Sequence, residues 1–351
     1  MPGYVPGEQP RGTEAVKLNT NENPYRASER VYDAIRKVCD SGLSRYPNAL
    51  GQTFREAASA VLGVAPEMIL CGNGSDDILT ILTRSFVGEG EWLRLARPSY
   101  ILYKTLALLQ GAHAEEVRFN ADWSLGDAFG QGFTDGRRLK LVYLPNPNSP
   151  SGTVIPKNRI LEFAESLPCP LLIDEAYADF AEENCIDLIE RSPKIMVSRT
   201  LSKSYALAGL RFGFLIARPE IIEQLVKMKD SYNCDALAIA AATAAISDQE
   251  WRQENRRKIL ATRARLTDGM RRLGFHVPDS HANFTWNVHS DRSVSHRAIY
   301  EYLKAHGWLV RYMDYGESGD GLRVSVGTDE QIDAVLKRTE EFLQKTPSRE
   351  A

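Results

Sequence analysis

With 351 residues the chain exceeds one ordinary hydrophobic core, which points to a large domain with a smaller companion. Apolar residues make up 43% and charged residues 25%, the balance of a soluble globular protein rather than a disordered or fibrous one. A net charge of −3 gives no reason to expect a nucleic acid or an anionic membrane as partner, and no run nears the ~18 apolar residues of a membrane span.

Residues 1–25, rich in Pro, Gly and Asn, read as an extended arm. Helical periodicity runs from Glu29 to Val38 and, after the loop Tyr46–Gly51, from Thr53 to Leu62. Met68–Cys71 is a short apolar strand leading into Gly72-Asn-Gly-Ser-Asp-Asp77. A helix follows, with Ile78, Leu79, Ile81, Leu82 and Phe86 on its apolar face. The pattern then alternates: strands at Trp92–Leu95, Leu139–Leu144, Pro170–Ile173, Lys194–Val197 and Arg211–Ala217, with helices at Tyr100–Leu109 and Asn158–Glu165 between them. Continuous apolar strands separated by helices indicate an α/β fold, its mostly parallel sheet covered on both faces. Helices are expected over Glu220–Lys229, Ala236–Ile246 and Glu250–Leu273. A smaller α+β unit closes the chain: strands at Phe284–Val288, Trp308–Arg311 and Leu322–Val326, helices at Val294–His306 and from Glu330. The expected division is an arm (1–28) packing with the small domain, a large domain (29–247) and a small one (248–351).

Five cysteines, an odd number with no C-x-x-C, fit reduced thiols in a cytoplasmic protein. The first residues lack the basic and apolar regions of a signal peptide, and the histidines show no metal-site spacing.

Ligands in such sheets bind beyond the carboxyl ends of the strands, where the polar clusters fall. Asp174 follows a buried strand; it reads as a functional acid, a helix cap or a Walker B carboxylate, and the last needs a phosphate loop containing Gly-Lys, which this chain lacks. Lys203 stands among small and hydroxylated residues with Gly209 and Arg211 downstream. A desolvated lysine suits Schiff-base chemistry, and Arg211 with Ser202 and Thr200 suits a phosphate. Gly74, Ser75 and Asp76 open a helix whose free N–H groups favour a phosphate, with an ordinary N-cap as the plain alternative.

Taken in order, Leu18-Asn-Thr-Asn-Glu-Asn-Pro-Tyr25, Arg45-Tyr-Pro47, Gly72–Asp76, Pro98-Ser-Tyr100, Asn146-Pro-Asn-Ser-Pro-Ser-Gly152, Asp174-Glu-Ala-Tyr177, Ser202-Lys203, Gly209-Leu-Arg211 and Leu322–Gly327 resemble the fold-type I pyridoxal-phosphate aminotransferases. Their histidinol-phosphate branch is the most similar. The resemblance covers nearly the whole chain, and it implies a seven-stranded, mostly parallel large domain, pyridoxal 5′-phosphate as cofactor, and a homodimer with active sites at the interface.

It also implies roles. Lys203 would anchor the cofactor and shuttle a proton, Asp174 would pair with the pyridine nitrogen, and Tyr177 would contact the phenolic oxygen. Tyr100 would stack on the ring, while Ser202, Arg211 and Gly74–Asp76 would hold the phosphate together with Tyr46 from the neighbouring subunit. Arg323 would grip the substrate α-carboxylate as a planar fork. The family it resembles usually has Asn where Ser149 stands, so the ring-oxygen contact falls to Asn148 or to Ser149, and Arg26 stands where many members have Gly. Arg311 and Tyr25 match positions that hold a substrate phosphate. The implied reaction moves an amino group from histidinol phosphate to 2-oxoglutarate in histidine biosynthesis. The alternatives are an aromatic or other amino-acid aminotransferase, a threonine-phosphate decarboxylase on the same scaffold, or an effector-sensing module.

Overall fold

The computed structural model describes residues 7–9 and 15–345. The parts of the expected arm at 1–6 and 10–14 lie outside them. Thirteen strands are described: β1 Val16–Lys17, β2 Ile69–Gly72, β3 Trp92–Arg97, β4 His113–Arg118, β5 Leu139–Pro145, β6 Leu171–Asp174, β7 Ile195–Thr200, β8 Gly213–Ile216, β9 Phe275–His276, β10 Phe284–His289, β11 Trp308–Leu309, β12 Arg311–Asp314 and β13 Asp320–Ser325.

Seven of these form one sheet in the order β2-β8-β7-β6-β5-β3-β4. Only β8 runs antiparallel, against β2 and β7. Its central strands bury both faces, and successive side chains feed two different cores. Val142, Leu144, Leu171, Ile173, Ile195 and Val197 join one apolar cluster. Leu141, Tyr143, Leu172 and Met196 join the other. Helices Glu29–Ser41, Gln52–Leu62 and Ala236–Ser247 cover the first face, and Ser75–Phe86 with Leu102–Leu109 covers the second. The β4 segment His-Ala-Glu-Glu-Val-Arg is half-exposed and polar because it forms the sheet edge, so it gave no apolar run to read.

A four-stranded antiparallel sheet, β12-β13-β10-β9, packs against helices Gln249–Arg272, His296–Ala305 and Asp329–Lys345. The single strand expected over Trp308–Arg311 is two. Trp308–Leu309 pairs in parallel with β1 of the arm, and Arg311 begins a strand paired with β13. Leu18 of the arm lies in this third core with Phe180, Leu322 and Val324.

Candidate active site

A pocket of about 380 Å³ opens where β5, β6 and β7 end, and the arm and β12–β13 close its other side. It is lined by Ser75, Asp76, Tyr100, Ser149, Asp174, Tyr177, Ser202, Lys203, Arg211, Arg311 and Arg323, so the chain brings together most of the residues singled out from sequence. A wider cleft of about 970 Å³ lies behind it and is lined by Asp179, Arg199 and Arg252 among others.

Lys203 follows β7 in an irregular loop, and its Nζ donates to the backbone carbonyl of Thr20 at 3.0 Å. Burial, and after it the positive field of Arg323, brings its ammonium down to about 8. The amine therefore loses its proton far more readily than a surface lysine. Its Nζ lies 5.9 Å from the centroid of the Tyr177 ring, which packs edge-on against Phe284.

Asp174 ends β6 and is buried. One oxygen accepts from Tyr103 at 2.6 Å and the other from Ser198 at 3.1 Å. Burial raises its carboxyl pKa, while these two donors pull it down only in part. A cation placed against this acid would reverse the shift. The Tyr103 hydroxyl is itself held well above its ordinary value by burial and by the Asp174 charge, so it remains a donor.

The turn before helix Ser75–Phe86 has the shape of an anion cradle. Gly74 sits at φ +87° with no side chain capping the helix, and Arg211 lies so near that a Cβ on Gly74 would meet its guanidinium at 2.6 Å. The Arg211 backbone takes φ +59°, a left-handed conformation rare for a side-chain-bearing residue, which turns it back toward Gly74. Its guanidinium stands 3.6 Å from Asp76, whose other oxygen accepts from Tyr100 at 3.2 Å. Ser202 is buried beside Thr200, which donates to its hydroxyl at 2.9 Å.

Arg323 on β13 donates to the Ser149 hydroxyl and to the Asn19 carbonyl, both at 2.9 Å. Arg311 on β12 is its register partner across the sheet.

Three expected residues fall elsewhere. Asn148 is buried but aims its amide at the Pro98 carbonyl and the Ser151 hydroxyl, at 3.2 and 3.0 Å, which fixes the local turn. Ser149, not Asn148, faces the pocket. Tyr25 lies outside the pocket lining, with Lys258 5.7 Å from its ring centroid, because the chain turns away to begin the helix at Glu29. Tyr46 is 80% exposed and stacks on Tyr232, with ring centroids 4.4 Å apart, outside this chain's own pocket.

Other contributors were not read from sequence. Asn21 donates to the Tyr177 hydroxyl at 2.9 Å, and Asn23 to the Lys203 carbonyl at 3.0 Å. With Asn19 they form a run of three asparagines at alternate positions, which is the available signal, although the backbone bends there and Asn21 takes a left-handed φ of +56°.

An amine, a buried acid, an arginine-lined helix start and aromatic walls fit a phosphorylated aldehyde with a basic ring nitrogen. The aminotransferase class I and II profile matches residues 13–338. The chain belongs to that family. Pyridoxal 5′-phosphate is accordingly its cofactor, as expected. Similar proteins include the histidinol-phosphate aminotransferase of Rhodopirellula baltica, 56% identical and covering 98% of this chain and 94% of that protein. Histidinol-phosphate aminotransferase 1 of Trichormus variabilis is 41% identical, with 98% and 97% covered. Among solved structures, histidinol-phosphate aminotransferase from Sinorhizobium meliloti in complex with pyridoxal-5′-phosphate superposes with a TM-score of 0.83 at 25% identity, covering 93% of this chain and 90% of that one. These likenesses bear out the fold-type I architecture. Among the described residues no helix is long and apolar enough to cross a membrane.

Proposed function

We propose that this aminotransferase moves the amino group of histidinol phosphate to 2-oxoglutarate. Relatives sharing that name over nearly their full length support the reading. One observation carries it: Arg311 and Arg323 are direct register partners on neighbouring antiparallel strands, and both line the pocket that holds Lys203. Two guanidiniums side by side at one pocket wall can hold an anion through several charge-assisted hydrogen bonds. The two substrates present different anions, a phosphate ester on the donor and two carboxylates on the oxo acid. Arg323 takes the α-carboxylate of the oxo acid, and Arg311 takes the far anion of either substrate.

Within this reading Ser202, Arg211 and the Gly74–Asp76 turn hold the cofactor phosphate, Asp174 pairs with the ring nitrogen, and Tyr100 covers the ring. Tyr177 contacts the phenolic oxygen, and Ser149 takes the place first expected of Asn148. Bound pyridoxal phosphate supplies an electron-withdrawing ring that stabilises negative charge at the substrate carbon. Lys203 Nζ holds the cofactor in the resting enzyme and takes the proton from the amine-bearing carbon of the substrate. An amine poised near pH 8 suits that transfer. Arm residues Asn19–Asn23 roof the site and exclude water. Exposed Tyr46, stacked on Tyr232, supports a homodimer in which Tyr46 reaches the partner's cofactor phosphate, and Tyr25 acts across that same interface on the substrate. The large and small domains meet near 247–248, and the protein works in the cytoplasm.

Steady-state assays with 2-oxoglutarate test the substrate. Histidinol phosphate should exceed phenylalanine in kcat/KM by at least about 100-fold, because phenylalanine leaves Arg311 without its phosphate. A preference for phenylalanine, or CO₂ release without consumption of the oxo acid, would overturn the assignment.

A further inference from the structure

The far face of the sheet carries a buried ion network that the reaction described above does not use. β6 and β7 are neighbours, with Asp174 opposite Ser198. Alternation puts Ser198 on the site face, where it holds Asp174, and Arg199 on the opposite face with Ile195 and Val197. There Arg199 donates to Glu175, the residue after Asp174, at 2.8 Å, and also pairs with Asp179. The second oxygen of Asp179 accepts from the hydroxyl of Ser204, the residue after Lys203. Arg256, on the long helix Gln249–Arg272, donates to the Asp179 backbone carbonyl at 2.7 Å. Two consecutive pairs thus lie at or just beyond the carboxyl ends of β6 and β7: Asp174 and Lys203 face the pocket, while Glu175 and Ser204 are fastened behind it to one guanidinium and its partner.

We propose that Arg199 is a positioning residue which, through Glu175 and Asp179, sets the separation and orientation of Asp174 and Lys203. This rests on the reading that those two residues serve the cofactor. Glu175 and Arg199 are almost fully buried, and removing charges from water is costly; apolar residues of similar size often stabilise a core as well. The planar fork of Arg199 instead gives two fixed directions, one to Glu175 beside Asp174 and one to Asp179, which holds Ser204 beside Lys203. Positional control matters because an error of about 1 Å costs on the order of 100-fold in rate. No chemistry is assigned to Arg199 itself, which reaches the site only through its neighbours.

The test uses full-length holoenzyme carrying Ser204→Ala, Asp179→Asn or Arg199→Lys, with Lys203→Ala as control. Three quantities are read: the pH midpoint of the cofactor absorbance band, kcat and KM separately, and the thermal midpoint. Ser204→Ala keeps the ion network and removes only the tether to the lysine loop. It should lower kcat by about 10-fold with little change in KM, and displace the absorbance midpoint by on the order of half a pH unit. Arg199→Lys keeps the charge but offers no fork to span both acids, so it should show the same two shifts. Should Arg199→Lys fail to fold, Ser204→Ala still gives the answer. Variants that melt earlier yet retain the wild-type absorbance midpoint and kcat would overturn the positioning role. A band that persists unchanged in Lys203→Ala would overturn the underlying reading, and the proposal with it.

Discussion

Gly213 begins β8 directly beneath the turn that opens helix Ser75–Phe86, and replacing it by alanine presses most closely on that turn. A Cβ at this position would lie 2.5 Å from the Ser75 backbone nitrogen, 2.7 Å from the Gly74 carbonyl carbon and 3.0 Å from the Arg199 oxygen. All three are backbone atoms, so no side chain can swing aside. Ordinary contact begins near 3.4 Å, so the turn must retreat by about 0.9 Å. Such overpacking costs about 1–3 kcal/mol of stability. The displaced Ser75 N–H is one of the donors assigned to the cofactor phosphate. Losing a hydrogen bond to a charged group costs about 1.5–3 kcal/mol, which raises the cofactor Kd by about 10- to 100-fold. Titrating cofactor-free Gly213→Ala with pyridoxal phosphate, followed by absorbance and by thermal midpoint, measures both effects. The variant should melt earlier and gain less from added cofactor than the wild type. Unchanged affinity would refute the claim that this turn holds the phosphate.

Arg323→Lys keeps a charge but loses the fork that meets Ser149 and the Asn19 carbonyl, so KM for the oxo acid should rise about 10-fold or more in initial-rate assays. Arg311→Ala should raise KM for histidinol phosphate while sparing turnover of a donor that lacks the phosphate, a contrast the same assays read directly. Lys203 titrates near 8 in the folded chain and near its ordinary 10.5 when unfolded. Between those values the unfolded chain holds a proton that the folded chain has lost, so this residue's contribution makes the cofactor-free protein more stable as pH rises from 8 toward 10.5. Amine-directed labelling of Lys203 in that protein should reach half its maximal rate near pH 8; a midpoint near 10.5 would contradict the desolvated setting.

Elements with strong local signals were legible in the sequence, and those defined by distant partners were not. The buried strands ending at Asp174 and Thr200 announced themselves as apolar runs, and the order of motifs placed Lys203, Asp174, Arg211 and Arg323 around one pocket. Edge strand β4 was invisible because half of it faces solvent and its residues are polar. Tyr103 carries no local signal of its role, because its hydroxyl meets Asp174 only across the fold. Asn148 and Ser149 are adjacent and both polar, and only the backbone direction of the Asn146–Gly152 turn decides which one faces the pocket. Arg199 had no sequence signal, since its partners Glu175, Asp179 and Ser204 meet it only after β6 and β7 align.

The most direct test is to load the protein with pyridoxal phosphate, reduce it with borohydride, digest it and locate the pyridoxyl label by mass spectrometry. One label on Lys203, absent in Lys203→Ala and without reduction, is the expected result. A label on any other lysine, or no label from protein that saturates with cofactor, would contradict the assignment of Lys203 as the cofactor's covalent partner.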